Sequence, residues 1–277
     1  MTYLVTGASS GIGRAVAVRL AEHGHKVVAG VRREGDAPAH PSIRPVLLDV
    51  TDAAQMAAAA NDVAPLSGLI NNAGVAFAGP LEYIPLGRLR EQLEINVVGV
   101  VAACQAFLPA LRAGHGRIVI VSSTAGRVAT PLLGAYNASK FAAEAIADTL
   151  RQELSPWRLP VVVVEPGSFK SRNRATTATA AETDRALTGD DAERRYGPAM
   201  DAFLRFSEQR ESKAGHPDQV AAVIEEALTT DKPRPRYLVG SDARMVVALS
   251  RCLPTRILDA MLAKSIGLPQ GCRERLL

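Results

Sequence analysis

Near its amino end the chain runs Tyr3-Leu4-Val5-Thr6 directly into Gly7-Ala8-Ser9-Ser10-Gly11-Ile12-Gly13 and on into an amphipathic stretch, Ile12–His23. An apolar β-prone run, closely spaced glycines and a helical period in succession describe a strand, a tight turn and a helix. Glycines at such a turn let backbone N–H groups approach an anion, and the helix N-terminus adds a favourable dipole. Gly7, Ser9, Ser10, Gly11, Ile12 and Gly13 are therefore read as a cradle for a diphosphate. The spacing is Gly-x3-Gly-x-Gly.

The same alternation continues along the chain. Short apolar runs at Lys26–Val31, Val46–Leu48, Gly68–Ile70, Arg117–Val121, Val161–Glu165 and Arg236–Val239 are separated by longer helix-like segments, among them Leu86–Leu111 and Ala135–Leu154. An unbroken run such as Val161–Val164 needs cover on both faces, which predicts helices on both sides of a parallel sheet. The expected fold is α/β: a single doubly wound Rossmann domain over residues 1–277, with a parallel sheet of about seven strands. Residues 169–214 turn polar, with Gly189, Gly197 and Pro198 as breakers, and are read as a helical substrate-loop insertion over the carboxyl edge. Residues 241–277 are read as a C-terminal helical extension whose Met245–Leu268 part forms two short amphipathic helices around Pro254.

Lys+Arg 32 against Asp+Glu 28 leaves a net charge of +4, too small and too evenly spread for a nucleic-acid footprint. Cys104, Cys252 and Cys272 lack CxxC spacing, and His23, His25, His40, His115 and His216 lack metal-ligand spacing, so no metal is expected. No secretory leader is visible at the start, and Ile95–Leu111 carries Asn96, Gln105 and Pro109 and falls short of a membrane span. The expectation is a cytoplasmic protein without membrane association.

Tyr136 and Lys140 lie one turn apart on one helical face, where an ammonium favours the phenolate of a tyrosine that otherwise titrates near ~10. Such a tyrosine can exchange a proton with an alcohol or carbonyl. Ser123, at the end of the fifth strand, is placed to hydrogen-bond the same oxygen, with Ser122 beside it as the alternative.

The glycine spacing, Asn71-Asn72-Ala73-Gly74 after the fourth strand, and Tyr136-x3-Lys140 together resemble the classical short-chain dehydrogenases/reductases over essentially the whole chain. Pro235–Arg244 and Glu165-Pro166-Gly167 are nearest in look to the retinol/hydroxysteroid dehydrogenase-like branch. The resemblance implies hydride transfer between a nicotinamide cofactor and a carbonyl or secondary alcohol, with Asn96, Ser123, Tyr136 and Lys140 as catalytic residues. Asn96 would hold a water contacting Lys140. It also implies cofactor contacts at Asp49, Val50, Asn72, Ala73, Gly74, Tyr136, Lys140, Pro166, Gly167, Phe169 and Ser171.

NAD-selective members carry Asp where this chain has Val31, and Arg32 offers a guanidinium to a ribose 2′-phosphate, so NADP(H) is expected rather than NAD(H). Arg32 and Arg33 can also be read as a solvated charge pair. The branch implies a bulky apolar substrate, with Phe169, Tyr196, Phe203 and Phe206 read either as cover over it or as core of the insertion, and a homodimer or homotetramer through Leu86–Leu111 and Ala135–Leu154. The alternative is a catalytically silent nucleotide-binding sensor or scaffold of the same fold.

Overall fold

A computed structural model describes residues 1–63, 65–170 and 172–268, the side chains of residues 172–188 excepted. Its strands are β1 (Thr2–Thr6), β2 (Lys26–Val31), β3 (Ile43–Leu47), β4 (Gly68–Asn71), β5 (Arg117–Val121), β6 (Val161–Pro166) and β7 (Arg236–Val239). They form one parallel sheet in the order β3-β2-β1-β4-β5-β6-β7, so the strand order reverses between β1 and β4. Ligands of such sheets bind at the carboxyl ends beside that reversal.

The helices are α1 (Gly11–Glu22), α2 (Ala53–Asp62), α3 (Leu86–Leu93), α4 (Gly99–Ala113), α5 (Gly134–Glu153), α6 (Arg172–Ser212), α7 (Pro217–Thr229), α8 (Ser241–Cys252) and α9 (Thr255–Ile266). Alternation along each strand divides the core. Tyr3, Val5, Val162 and Val164 pack with α1 and α7 on one face, while Leu4, Val161 and Val163 pack with α2, α4 and α5 on the other. This two-sided burial is what the Val161–Val164 run requires.

Four sequence readings need adjustment. The third strand begins at Ile43 and ends at Leu47, because it is an edge strand whose exposed Arg44 and Pro45 break the apolar run. The Leu86–Leu111 segment is a rod in which a π-helical turn, Glu94–Val98, joins α3 to α4. Leu86–Ala113 is, by length and composition, apolar enough to cross a membrane, contrary to the shorter stretch expected. Here Val100, Ala103, Cys104, Phe107 and Leu111 are buried within the fold. Gly189 (φ 78°) breaks α6, whereas Gly197 and Pro198 remain inside its second half. Burial of Ala199, Met200 and Phe203 beyond them outweighs the local helix penalty.

α8 and α9 are the two short helices expected around Pro254. Ile266 of α9 packs with Met200 and Phe203 of α6 and Ala78 of the loop after β4.

Candidate active site

Gly7 (φ 65°) makes the turn out of β1, and a Cβ on Gly13 would come within 2.4 Å of both the Gly7 carbonyl oxygen and Asn72 Nδ2. Gly13 therefore lets α1 start against the strand end. The Asn72 amide donates to the carbonyls of Thr6 and Gly7, both at 3.1 Å. Thr6 Oγ1 accepts from the backbone N–H groups of Asn72 and Ala73, each at 3.0 Å. Thr6 thus joins the end of β1 to the segment after β4, a role that sequence reading missed; a hydroxyl closing an apolar strand was its one signal. Ser10 caps α1 without a side-chain hydrogen bond, and the first turn carries no acidic residue. That arrangement suits an anion at the helix end.

The turn opens into a cavity of about 710 Å³ along the carboxyl edge of the sheet. Gly7, Ser9, Ser10, Gly11, Ile12, Arg32, Asp49, Val50, Asn72, Ala73, Gly74, Ser123, Tyr136, Lys140, Pro166, Gly167 and Phe169 all line it. Gly13 and Asn96 stand behind the lining, and Ser171 lies outside the described residues.

At one end, Arg33 pairs with Asp36 at 3.2 Å, while Arg32 is exposed on the cavity wall. The two arginines are therefore not an equivalent pair. Asp49 Oδ1 accepts from the backbone N–H and hydroxyl of Thr51 at 3.0 and 2.7 Å, which fixes the loop after β3.

Deeper in, Ser123 follows β5 and its Oγ accepts from the Ala125 N–H at 3.2 Å. Ser122 is buried, and a Cβ on Gly126 would lie 2.9 Å from its Oγ and 3.1 Å from Glu144 Cγ. On α5, Lys140 Nζ lies 5.8 Å from the Tyr136 ring centroid and donates to the Val121 carbonyl at 2.9 Å. Burial brings the Lys140 ammonium down to about 8, opposed by the charge of Glu144. The ammonium is still mostly protonated at neutral pH and stands beside the phenol it would tune.

Asn96 sits on the π turn. Its Nδ2 donates to Val75 O (2.8 Å) and Ser139 Oγ (3.0 Å), and its Oδ1 accepts from Val75 N–H (2.9 Å). One turn earlier, buried Gln92 donates to Val75 O at 2.7 Å and accepts from Phe77 N–H at 3.1 Å. Together these amides hold the loop after β4 and tie it to α5. The sequence reading singled out Asn96 but not Gln92, whose signal was an amide four residues from another on an apolar helix.

Phe203, Leu204, Phe206 and Arg210 of α6 line the cavity together with Phe169. Tyr196 is not part of that lining. Its hydroxyl donates to Glu82 at 2.8 Å and its ring meets Tyr83 edge-on at 5.7 Å, so it pins α6 to the loop before α3.

Behind the site, Glu165, 1% exposed, accepts from Arg127 at 2.9 Å and faces Arg236 at 3.5 Å. Arg236 also donates to Glu144 at 3.1 Å and Asp148 at 2.7 Å. Burial and the neighbouring Glu165 charge push Glu144 up, opposed by Ser122 and Arg236. No local pattern in the sequence signalled this network.

The glycine turn, the uncapped helix end and the elongated cavity fit a dinucleotide. The short chain dehydrogenase family profile matches residues 1–182. Retinol dehydrogenase 5 of Mus musculus is 33% identical over 93% of this chain and 86% of its own length. The NADPH-dependent 3-dehydrocapnine reductase of Ornithobacterium rhinotracheale is 32% identical over 95% and 96%. A short chain dehydrogenase structure from Burkholderia cenocepacia in complex with NADP superposes with a TM-score of 0.75 at 27% identity, covering 94% of this chain and 96% of that one. One from Burkholderia phymatum in complex with NAD gives 0.76 at 25%, covering 94% of each.

Proposed function

Since the chain belongs to the short chain dehydrogenase family and is an NAD(P)-dependent oxidoreductase acting on CH–OH groups, we propose that it uses NADP(H) on a bulky apolar alcohol or ketone. The observation that carries the cofactor choice is Arg32, exposed on the cavity wall beside Val31, with no acidic residue at that strand end to accept from ribose hydroxyls. The apolar wall formed by Phe169, Phe203, Leu204 and Phe206 supports the substrate class.

In this reading a bound nicotinamide supplies or accepts the hydride. Tyr136 holds the proton at its phenolic oxygen and exchanges it with the substrate oxygen, while Lys140 favours the phenolate. Ser123 donates to the same substrate oxygen and steadies its developing charge. Asn96 keeps the loop after β4 and Ser139 of α5 in register, and the water expected to contact Lys140 would rest on the same amide.

A ribose 2′-phosphate on Arg32 gains a charge-assisted hydrogen bond of about 1.5–3 kcal/mol, on the order of ten- to a hundredfold over NAD. The double variant Val31→Asp, Arg32→Ala is expected to reverse the preference. Dissociation constants for both cofactors in one buffer read it, and wild-type protein binding NAD as tightly as NADP would defeat the assignment. A panel of ketones and alcohols followed by reduced-cofactor absorbance tests the substrate class, and turnover confined to small polar compounds would count against it.

The proposal also includes a cytoplasmic setting, consistent with free Cys104 and Cys252, and a homodimer or homotetramer. The faces available for assembly carry exposed Val98 and Phe141. Within the two segments expected between subunits, the small residues Ala103, Ala143 and Ala147 are buried in the chain's own core, where they let α4 and α5 approach the sheet closely. Sedimentation velocity at micromolar concentration is expected to show a dimer or larger, and a monomer would refute it.

A further inference from the structure

The turn Pro166-Gly167-Ser168 leaves β6 on the cavity wall, and its geometry depends on one carboxylate from the start of α8. Asp242 Oδ2 accepts from the Ser168 backbone N–H at 2.8 Å and from Arg210 Nη2 at 3.0 Å. Two glycines make room for it. A Cβ on Gly167 would lie 2.2 Å from Asp242 Oδ1, and one on Gly240 (φ 105°) would lie 2.6 Å from the same atom. The turn is gripped from both sides: Gly167 N–H donates to Val239 O at 2.9 Å, and Gly215 N–H donates to Ser168 O at 3.0 Å. Arg210 also lines the cavity, so one side chain touches both the cavity and the ion that holds the turn.

We propose that Asp242 is a positioning residue for the nicotinamide half of the cofactor, fixing the Pro166–Ser168 turn and tying it through Arg210 to α6. The inference rests on reading that turn as the wall beside the nicotinamide. Burial opposes ionisation of Asp242, but hydrogen bonds from Ser168 and Arg210 outweigh it and hold the carboxyl below its ordinary range. The acceptor is therefore charged at neutral pH. Alanine here leaves the Ser168 N–H without its carboxylate acceptor and Arg210 without its ion-pair partner. Asparagine keeps one acceptor oxygen for Ser168 but no charge for Arg210.

The test measures dissociation constants by titration calorimetry for wild type, Asp242→Ala and Asp242→Asn. The ligands are NADP⁺ against adenosine 2′,5′-bisphosphate, which lacks the nicotinamide half, and in parallel NAD⁺ against ADP. Asp242→Ala is expected to weaken the full dinucleotide roughly tenfold, the worth of one charge-assisted hydrogen bond, and to leave the adenosine fragment within about twofold. Asp242→Asn should fall between wild type and alanine. Equal weakening of dinucleotide and fragment would show a merely structural role and overturn the proposal, as would an unchanged dinucleotide constant. A wild type that prefers NAD⁺ defeats the NADP(H) reading, yet the NAD⁺/ADP pair still decides the role of Asp242.

Discussion

Tyr136→Phe is expected to lower kcat by roughly 10²–10⁴-fold, the range for losing a positioned general acid–base, while cofactor affinity stays within about twofold. The ring keeps its place on α5, one turn from Lys140, and only the phenolic oxygen is lost. Lys140 still anchors on the Val121 carbonyl, so the cavity wall keeps its shape. Steady-state kinetics on any substrate the wild type turns over, with cofactor binding measured separately, reads the two effects apart. A phenylalanine variant retaining more than about a tenth of the activity would remove Tyr136 from the chemistry.

Arg236→Met is expected to destabilise the fold by about 3 kcal/mol at neutral pH, the lower end for breaking a buried ion pair, because the Arg236 side chain is itself 28% accessible. Without the guanidinium, Glu144 and Glu165 face each other in the interior, with Arg127 on Glu165 and the Lys140 charge near Glu144 as the remaining cations. The folded-state pKa of Glu144, raised by burial, then loses the opposing pull of Arg236 and lies further above the unfolded value, so the folded chain binds more protons than the unfolded one. The loss should therefore grow as pH rises from the ordinary glutamate range toward neutrality. Urea midpoints for wild type and variant at pH 5 and pH 8 measure it. A difference below about 1 kcal/mol, or one independent of pH, would show that the network carries little of the stability.

Some of the site was legible because its chemistry is local. Tyr136 and Lys140 share a helix face by spacing alone, and the glycines of the first turn announce a backbone that side chains would obstruct. Six of the seven strands were found within about two residues, since Val/Ile runs covered on both faces have no other use for so many β-branched neighbours. The third was misjudged at its start because an edge strand, exposed on one side, can carry Arg44 and Pro45. Tyr196 was left open between cavity cover and insertion core for a related reason: an aromatic in an insertion has no periodicity to show whether it lines a cavity or pins a helix.

What the sequence determined by itself is the order of strands and helices, the glycine turn and the Tyr136–Lys140 pair, because each depends on residues that are neighbours along the chain. Strand order, set by which faces can be buried together, decided the rest. It puts β7 beside β6, so Arg236 reaches Glu144 across 92 positions of sequence, and it puts the start of α8 under the turn after β6, so Asp242 meets Ser168 across 74. A buried charge or backbone donor must find its partner in the folded interior, and that partner is chosen by packing across the sheet, which leaves no trace in local periodicity.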